Sequence, residues 1–505
     1  MGETGDPSTL NRTISISEAV EGDGSGHTNA PSWISWFERP FQVADPITKS
    51  ILPEATGWAM DAAGRGPLNL VGSYVGTAIL RLAIVEAGGP DNPIKWGLKP
   101  SSLLTLMSSV IGVVAALLMP IAGAIVDHTP HRRIFGIVSG IFAVGFIGVQ
   151  ISISAEKNNW FFILVIDTLQ TFALLVHYCA ALAYLPDLTT DQEVLSHYTS
   201  RFNFKQYIVH FGFVAMVIIM TKSRGNYEKA TLDATVQTAR DATIWAFALG
   251  CLLIGYSWTF LFRQRPALSK VPEGSNLITC GFVQLRHTAS KITSKYHALR
   301  VFMFSMLWSP EAGAGVVLSI TITFLTVEMM FSAVDIAKAS LILMASTAAG
   351  SLISKVANRF MNPLNSYRLG LSWLGFFFGM SVFVFTGPER KSSVYGFASL
   401  WGIGLGWAYP SQRVLQCSLI PKGQETEMMG LFTFVNQVLG WAPTLIVTLM
   451  NENDFDRKWS IMVVCVFCLF SVFCTFFMGD YNEACGSWNV IVKKNGRKCS
   501  MRQDM

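Results

Sequence analysis

Residues 263–300 read RQRPALSKVPEGSNLITCGFVQLRHTASKITSKYHALR, with the basic residues Arg263, Arg265, Lys270, Arg286, Lys291, Lys295 and Arg300 against a single acid, Glu273. Six apolar runs precede this stretch, at about 60–86, 102–126, 133–153, 160–185, 204–221 and 242–262. Six follow it, at about 301–327, 336–356, 367–386, 393–416, 428–449 and 459–478. Each run approaches or exceeds the ~20 apolar residues that cross a bilayer core as a helix. Nearly every other connection is short, so neighbouring helices run antiparallel. The sequence thus predicts an all-α membrane protein of twelve transmembrane helices in two six-helix bundles. In transporters built as two halves, the solute site lies near the bilayer midplane between them. The expected divisions are a disordered acidic tail at 1–56, bundles at 57–262 and 301–478, a basic linker at 263–300 and a second tail at 479–505.

Composition points the same way. Of 505 residues, 51% are hydrophobic and only 14% charged, where a soluble domain carries roughly a quarter charged residues. Mean hydropathy is +0.40 despite two polar tails. These values exclude a cytosolic enzyme, a nucleic-acid binder and a collagen-like or disordered chain. Net charge of +5 is too mild to imply a nucleic-acid partner. The first 56 residues hold eight acidic and three basic residues, with no basic-then-apolar signal peptide. Most of the nine cysteines fall in apolar runs or expected cytosolic parts, so no disulfide framework is expected. Cys465 and Cys468 form a CxxC match inside an apolar run with no second pair, so no metal is expected there. There is no phosphate-binding GxxxxGK[ST], no TVGYG filter, no HExxH and no GxSxG in a span. No cofactor and no enzymatic chemistry are expected, and transport driven by gradients is the economical reading.

Lys and Arg near span ends set the orientation. The linker, the Asp127–Arg133 turn, the Lys355–Arg368 turn and the tail with Lys493, Lys494, Arg497 and Lys498 share one side. The 222–241 segment opposite balances four basic residues with three acids. Both termini are therefore expected in the cytosol, where the sequon at Asn11 would carry no glycan.

A charge inside the membrane costs at least ~2.5–3.5 kcal/mol on insertion scales, so each one needs a reason. In the fourth run Asp167, Gln170, Thr171, His177 and Tyr178 fall on one helical face, within about 120° at 100° per residue. That stripe reads either as a solute- or proton-contacting face or as an interhelical hydrogen-bond network. Tyr74, Thr77 and Arg81 share a face of the first run. Arg81 either snorkels to the headgroups or faces the cavity, where it suits a substrate carboxylate and can pair with Asp167. In the seventh run Pro310-Glu311 precedes Gly313 and Gly315, so a helix break is expected near Glu311. A carboxylate at a break is a candidate for proton or cation coupling, or simply meets water in an inner vestibule. Thr433, Asn436, Gln437, Gly440 and Trp441 offer the eleventh run a polar binding wall, or helix glue. Gly136/Gly140 and Gly402/Gly406, at four-residue spacing, read as close helix packing.

The turn after the second run, from Gly123 through Asp127 to Arg132 and Arg133, resembles the G-x-x-x-D-x-x-x-x-R-[RK] signature of the major facilitator superfamily. Read physically, Gly123 permits tight helix contact, and Asp127 with the arginines forms a charge cluster that biases inward- against outward-open states. The alternative is a solvated basic turn. The equivalent turn of the second half, Gly350 to Lys355, lacks the acid, so no second latch is expected.

Three further stretches, Trp58-Ala-Met-Asp61, Tyr184-Leu-Pro-Asp-Leu188 and Tyr409–Arg413 continuing through Ile420–Leu431, resemble the autophagy-related vacuolar effluxer family, a branch of that superfamily. The third is the most specific. The resemblance implies twelve helices, a vacuolar or other internal membrane, and export of amino acids to the cytosol. Arg413, Glu425 and Glu427 match the family's Arg and paired acids; at the cytosolic edge they read either as a cluster that gates closure or as an ordinary surface ion pair contributing only ~0–1 kcal/mol. Where the family has small polar residues after the first-run acid, this chain has Gly64-Arg65-Gly66-Pro67. The partners expected are a small polar solute, protons as a candidate coupling ion, and the lipid bilayer. Other cargo (a sugar, nucleoside or pterin), a plasma-membrane location, and a non-transporting sensor or scaffold stay open at this point.

Overall fold

The structure, a computed structural model, describes residues 36–94, 97–189, 192–226, 231–267, 276–308, 310–420, 431–432, 434–436 and 438–481. Among them there is no strand, only an isolated bridge between Ala44 and Ile51. Of the expected disordered tail, residues 1–35 lie outside the described residues, whereas 36–52 pack on the first half, with Tyr256 donating to Glu38 and Lys205 to Pro40 O. The first long helix begins at Pro53, inside the stretch assigned to the tail.

Helices α1 (Pro53–Ala87), α2 (Leu103–His128), α3 (Arg132–Gln150), α4 (Trp160–Leu182), α5 (Gln192–Ser223) and α6 (Leu232–Leu261) precede the linker. Local chemistry fixes their ends. α1 starts on Pro53, whose missing N–H is not needed in a first turn, and stops at Gly88, whose left-handed φ of 73° lets its N–H reach back to Val85 and Ile84. The last two turns of α6 widen to π geometry, with Phe262 N donating to Ser257 O at 3.0 Å.

The linker is not all loop: Leu277–Lys295 forms a helix, α7, that packs on α2. Its Gly281 lies so close to the Pro120 carbonyl that any side chain would overlap it.

Beyond it run α8 (His297–Met306), α9 (Pro310–Val327), α10 (Ala333–Phe360), α11 (Pro363–Val384), α12 (Lys391–Leu419), α13 (Trp441–Glu452) and α14 (Trp459–Thr475). The seventh run is thus interrupted between Met306 and Pro310, where a break was expected. Ser332 and Asp335 close a reciprocal capping box on α10, and Asn362 caps α11 ahead of Pro363.

Nine helices among the described residues are long and apolar enough to cross a membrane. The seventh run is split, α12 carries Ser, Gln and Tyr among its apolar residues, and the described helix of the eleventh has 12 residues after a turn at Leu439 and Gly440. Buried apolar side chains form one large cluster in α1–α6 and another within 292–478. The first also takes in Ile322, Val327, Ala333 and Ala337 from beyond the linker. α1 is the innermost helix, packed by α4, α5, α6, α9 and α10. From Glu54 to Leu80 its one exposed residue is Asn69, with Gly72 half-buried.

Candidate functional site

Two turns into α1 the Asp61 carboxylate is completely buried. Its Oδ1 accepts from His177 Nε2 at 2.7 Å and Trp258 Nε1 at 2.8 Å, and its Oδ2 accepts from Arg65 Nε at 2.7 Å. A buried carboxylate persists only with such compensation. Each helix supplies its part for a local reason. Asp61 and Arg65 are one turn apart on α1. The wide turns of α6 carry Trp258 inward, and Gly136 on α3 leaves room for its indole, which a methyl there would overlap. His177 Nδ1 lies 3.0 Å from Gly136 O and 3.2 Å from Ser139 Oγ, so both ring nitrogens face oxygen.

Arg65 is held between two rings, its guanidinium carbon 5.1 Å from the Trp58 centroid and 4.6 Å from that of Tyr178. Its Nη2 is buried with no hydrogen-bond partner among the described residues.

The polar stripe of α4 meets this cluster and continues along α1. Gln170 Nε2 donates to Leu68 O at 3.3 Å, and Asp167 Oδ1 lies 4.0 Å from where a Cβ on Gly72 would stand. Asp167 is half-buried and accepts from Gln150 Nε2 at 3.1 Å, whereas Thr171 is exposed. Tyr74 is buried against Phe213, its hydroxyl without a partner among the described residues, and Thr77 donates to Ser73 O at 2.7 Å. The structure therefore brings Asp167, Gln170 and His177 together along α1 and leaves Arg81 elsewhere. The pairing of Arg81 with Asp167, open as one alternative from the sequence, does not form. Arg81 Nη1 donates to Thr235 Oγ1 at 3.1 Å and Nη2 to Phe331 O at 2.7 Å, because its position is near the end of α1 remote from the linker.

At that remote end the two halves are joined. On α2 and α13, Thr448 Oγ1 donates to Thr105 Oγ1 at 2.9 Å, and Ser109 Oγ to Thr444 Oγ1 at 2.9 Å. Asn451 Nδ2 donates to Ser101 O at 3.0 Å. Lys99 Nζ pairs with Asp454 at 2.5 Å and reaches the carbonyls of Asn451 and Glu452 at 3.1 Å. Arg457 forks between Asp91 before α2 and Glu328 after α9, beside a cavity of about 550 Å³. Burial opposes the Arg457 charge, but these two carboxylates outweigh it and hold its pKa above the usual value.

The linker end is arranged differently from the expected latch. Among the described residues a Cβ on Gly123 would meet nothing within 4 Å, so the expected tight helix contact is not made with any of them. Asp127 makes no ion pair among the described residues. Arg132 turns instead to Asp187 at 2.7 Å and Ala183 O at 2.9 Å, and stacks on Tyr184. Arg133 Nη2 donates to Thr259 O at 2.5 Å. Arg265 grips Glu54 with two nitrogens, and this hydrogen-bonded carboxylate raises its pKa above the usual value. Tyr184 donates to Arg263 O at 3.0 Å. The start of the linker is therefore tied to the first half.

Arg413 is exposed, and Glu425, Glu427 and Gln437 lie outside the described residues, as does the Glu311 side chain. Asn436 is 8% exposed, and its Oδ1 has no partner among the described residues.

Sequence reasoning did not assign Asp61, Arg65 or Trp258 to the site. Asp61 and Arg65 carried a signal nonetheless: charges of opposite sign four residues apart on an apolar helix. Trp258 had none, because its aim depends on the widened turns of α6.

The family described as "Vacuole effluxer Atg22 like" matches residues 92–483. No curated protein matches the chain. Among solved structures, the xylose transporter XylE from E. coli in its inward open conformation aligns with TM-score 0.60 at 10% identity, covering 86% of this chain and 98% of that one. A mutant of the nucleoside transporter NupG gives TM-score 0.55 at 12% identity over 84% and 100% of the two chains. A bacterial homologue of the iron transporter ferroportin, inward-facing, gives 0.55 at 14% over 84% and 99%. At these identities the likeness is one of fold, the major facilitator type.

Proposed function

The chain belongs to the vacuole effluxer Atg22-like family of multi-pass membrane transporters, and on that premise we propose that it exports amino acids from a vacuole-like compartment to the cytosol by alternating access. The observation that carries this reading is the polar seam that joins the two halves at one end. The halves are joined by hydrogen bonds and ion pairs at the end remote from the linker, and buried polar atoms without a partner among the described residues occur both there (Ser101 Oγ, Asn451 Oδ1) and deeper in the helices (Arg65 Nη2, Tyr74 Oη, Asn436 Oδ1). Buried polar atoms without partners mark places that water or a ligand completes.

With the basic linker and both termini in the cytosol, the joined end faces the lumen and the protein rests inward-facing. Segments 57–262 and 301–478 then rock as the two halves about the seam. Asp167, Gln170, His177, Glu311, Asn436 and Gln437 line the path, with Tyr74 and Thr77 behind it and Arg81 at its lumenal rim. Asp127, Arg132, Arg133, Arg413, Glu425 and Glu427 serve the cytosolic closure. Protons are the coupling ion in this reading, with Asp167 and Glu311 as the groups that exchange them.

The test is counterflow of labelled amino acids in proteoliposomes holding the purified chain, with sugars, nucleosides and pterins as competitors. Saturable amino-acid exchange is expected. Binding without flux would replace the transporter by a sensor, and competition only by another solute class would change the cargo. For protons, Asp167→Asn and Glu311→Gln should flatten the pH dependence of uptake; an unchanged profile removes that role.

A further inference from the structure

We propose that Arg65 is the receptor for a carboxylate group on the transported solute. The proposal rests on the transport reading above and names the chemistry of its site.

The guanidinium uses only one edge within the protein. Nε binds Asp61, Nη2 is buried without a partner among the described residues, and the residue is only 6% exposed. Neutralising Asp61 needs a single cation and no particular shape. A planar fork with its outer edge left empty is shaped for a second, bidentate acceptor. The rings of Trp58 and Tyr178 hold the plane in place, so little side-chain freedom is lost when an anion arrives.

The neighbouring glycines explain how such a group is accommodated. A Cβ on Gly64 would come within 2.8 Å of Ile254 Cγ1, and one on Gly66 within 2.8 Å of the His210 ring. Their lack of side chains lets α5 and α6 close on α1 behind Arg65. The way in is along the other face, where Tyr178 is half-buried and Asn69, one turn further along α1, is exposed.

The charge count selects the ligand. Asp61 already balances Arg65, and His177, with oxygen at both ring nitrogens, adds one positive charge only when protonated. The cluster thus offers at most one net positive charge, enough for the single charge of a carboxylate and too little for the two of a phosphate near neutral pH.

The experiment uses the full chain, in detergent for thermal unfolding and in proteoliposomes for flux, with the common L-amino acids, their amides and inorganic phosphate as probes. At least one amino acid should raise the unfolding temperature and be taken up, with its amide at least ten-fold weaker in both. Arg65→Lys should raise KM for the acid about ten-fold with little change in kcat. Because Arg65→Gln alone strands a buried Asp61, the variant Asp61→Asn/Arg65→Gln is measured beside it, and it should lose discrimination between acid and amide.

An amide as effective as its acid on the wild-type chain would overturn the proposal, as would phosphate stabilising equally well or the double variant keeping the wild-type preference. Failure of the transport reading looks different. Stabilisation by the acid and not the amide, with no flux of any solute, would keep the carboxylate site and remove transport. No stabilisation by any amino acid would remove the site.

Discussion

Thr448 donates to Thr105 at 2.9 Å across the boundary between the two halves of the chain, and one turn deeper Ser109 and Thr444 repeat the contact. Helices in lipid gain nothing from mutual burial of apolar surface, so small hydroxyl side chains that let backbones approach and bond are the available adhesive. Gly112 completes the seam, where a Cβ would stand 2.8 Å from Trp441 Cβ. Alternating access requires this seam to part. Ser109→Cys with Thr444→Cys, in a background lacking the native cysteines, should cross-link on oxidation and reduce flux to about a tenth or less, with recovery on reduction. Full flux from a fully cross-linked protein would show that the seam stays closed throughout the cycle.

Arg457 holds Asp91 and Glu328 together from one side chain. Exposed ion pairs contribute only ~0–1 kcal/mol each, and Asp91 is 55% exposed. Arg457→Gln should therefore shift the balance toward lumenal opening by only about two- to five-fold, within the ~1 kcal/mol that such a factor represents. The measure is the rate at which a cysteine placed at Ser109 reacts with an impermeant maleimide applied from the lumenal side. A rate that does not change, or that falls, would mean that the fork does not hold the lumenal end shut.

Much of the architecture was legible because helix spacing is a property of the local sequence. The break before Pro310, the close backbone approach at Gly402/Gly406 and the polar face of α4 all follow from residues within a few turns of one another, whereas Gly136 makes room for the Trp258 ring and not for a helix backbone. Long-range partners were not legible. Asp127 lies beside Arg132 and Arg133 in sequence, yet Arg132 finds Asp187, 55 residues on, because α4 ends beside the start of α3. Arg81 and Asp167 share a half but sit at different depths, and each is satisfied by a nearer group. Opposite charges in one bundle thus predict compensation without identifying the partner.

The α10–α12 contact is made backbone to backbone. A methyl on Gly406 would overlap the Thr347 carbonyl, and one on Gly350 the Ile403 carbonyl. Neither a carbonyl nor a helix axis can step aside as a flexible side chain can, so overpacking costs at or beyond the usual ~1–3 kcal/mol. Gly406→Ala should sharply lower the yield and unfolding temperature of the purified protein. Gly145→Ala is the control, since a Cβ there meets nothing within 4 Å. Equal behaviour of the two would mean that the helices can separate at no cost.

Trp258 joins the same packing to the buried charge. Its indole N–H donates to Asp61, its ring stacks on Phe262 at 4.3 Å between centroids, and its far edge fills the space over Gly136. Trp258→Phe keeps much of the stacking and deletes the donor, so it should destabilise by the ~1–3 kcal/mol of a buried acceptor that loses a partner. Gly136→Ala alone drives a methyl into the indole and should destabilise as well. In the double variant the smaller phenyl ring clears that methyl, so the loss should be clearly less than the sum, a coupling of the ~0.5–3 kcal/mol seen for residues in contact. Thermal unfolding of the four proteins measures the cycle. Additive losses would mean that Trp258 is held in place by its bond to Asp61 alone and that Gly136 was not the residue making room for it.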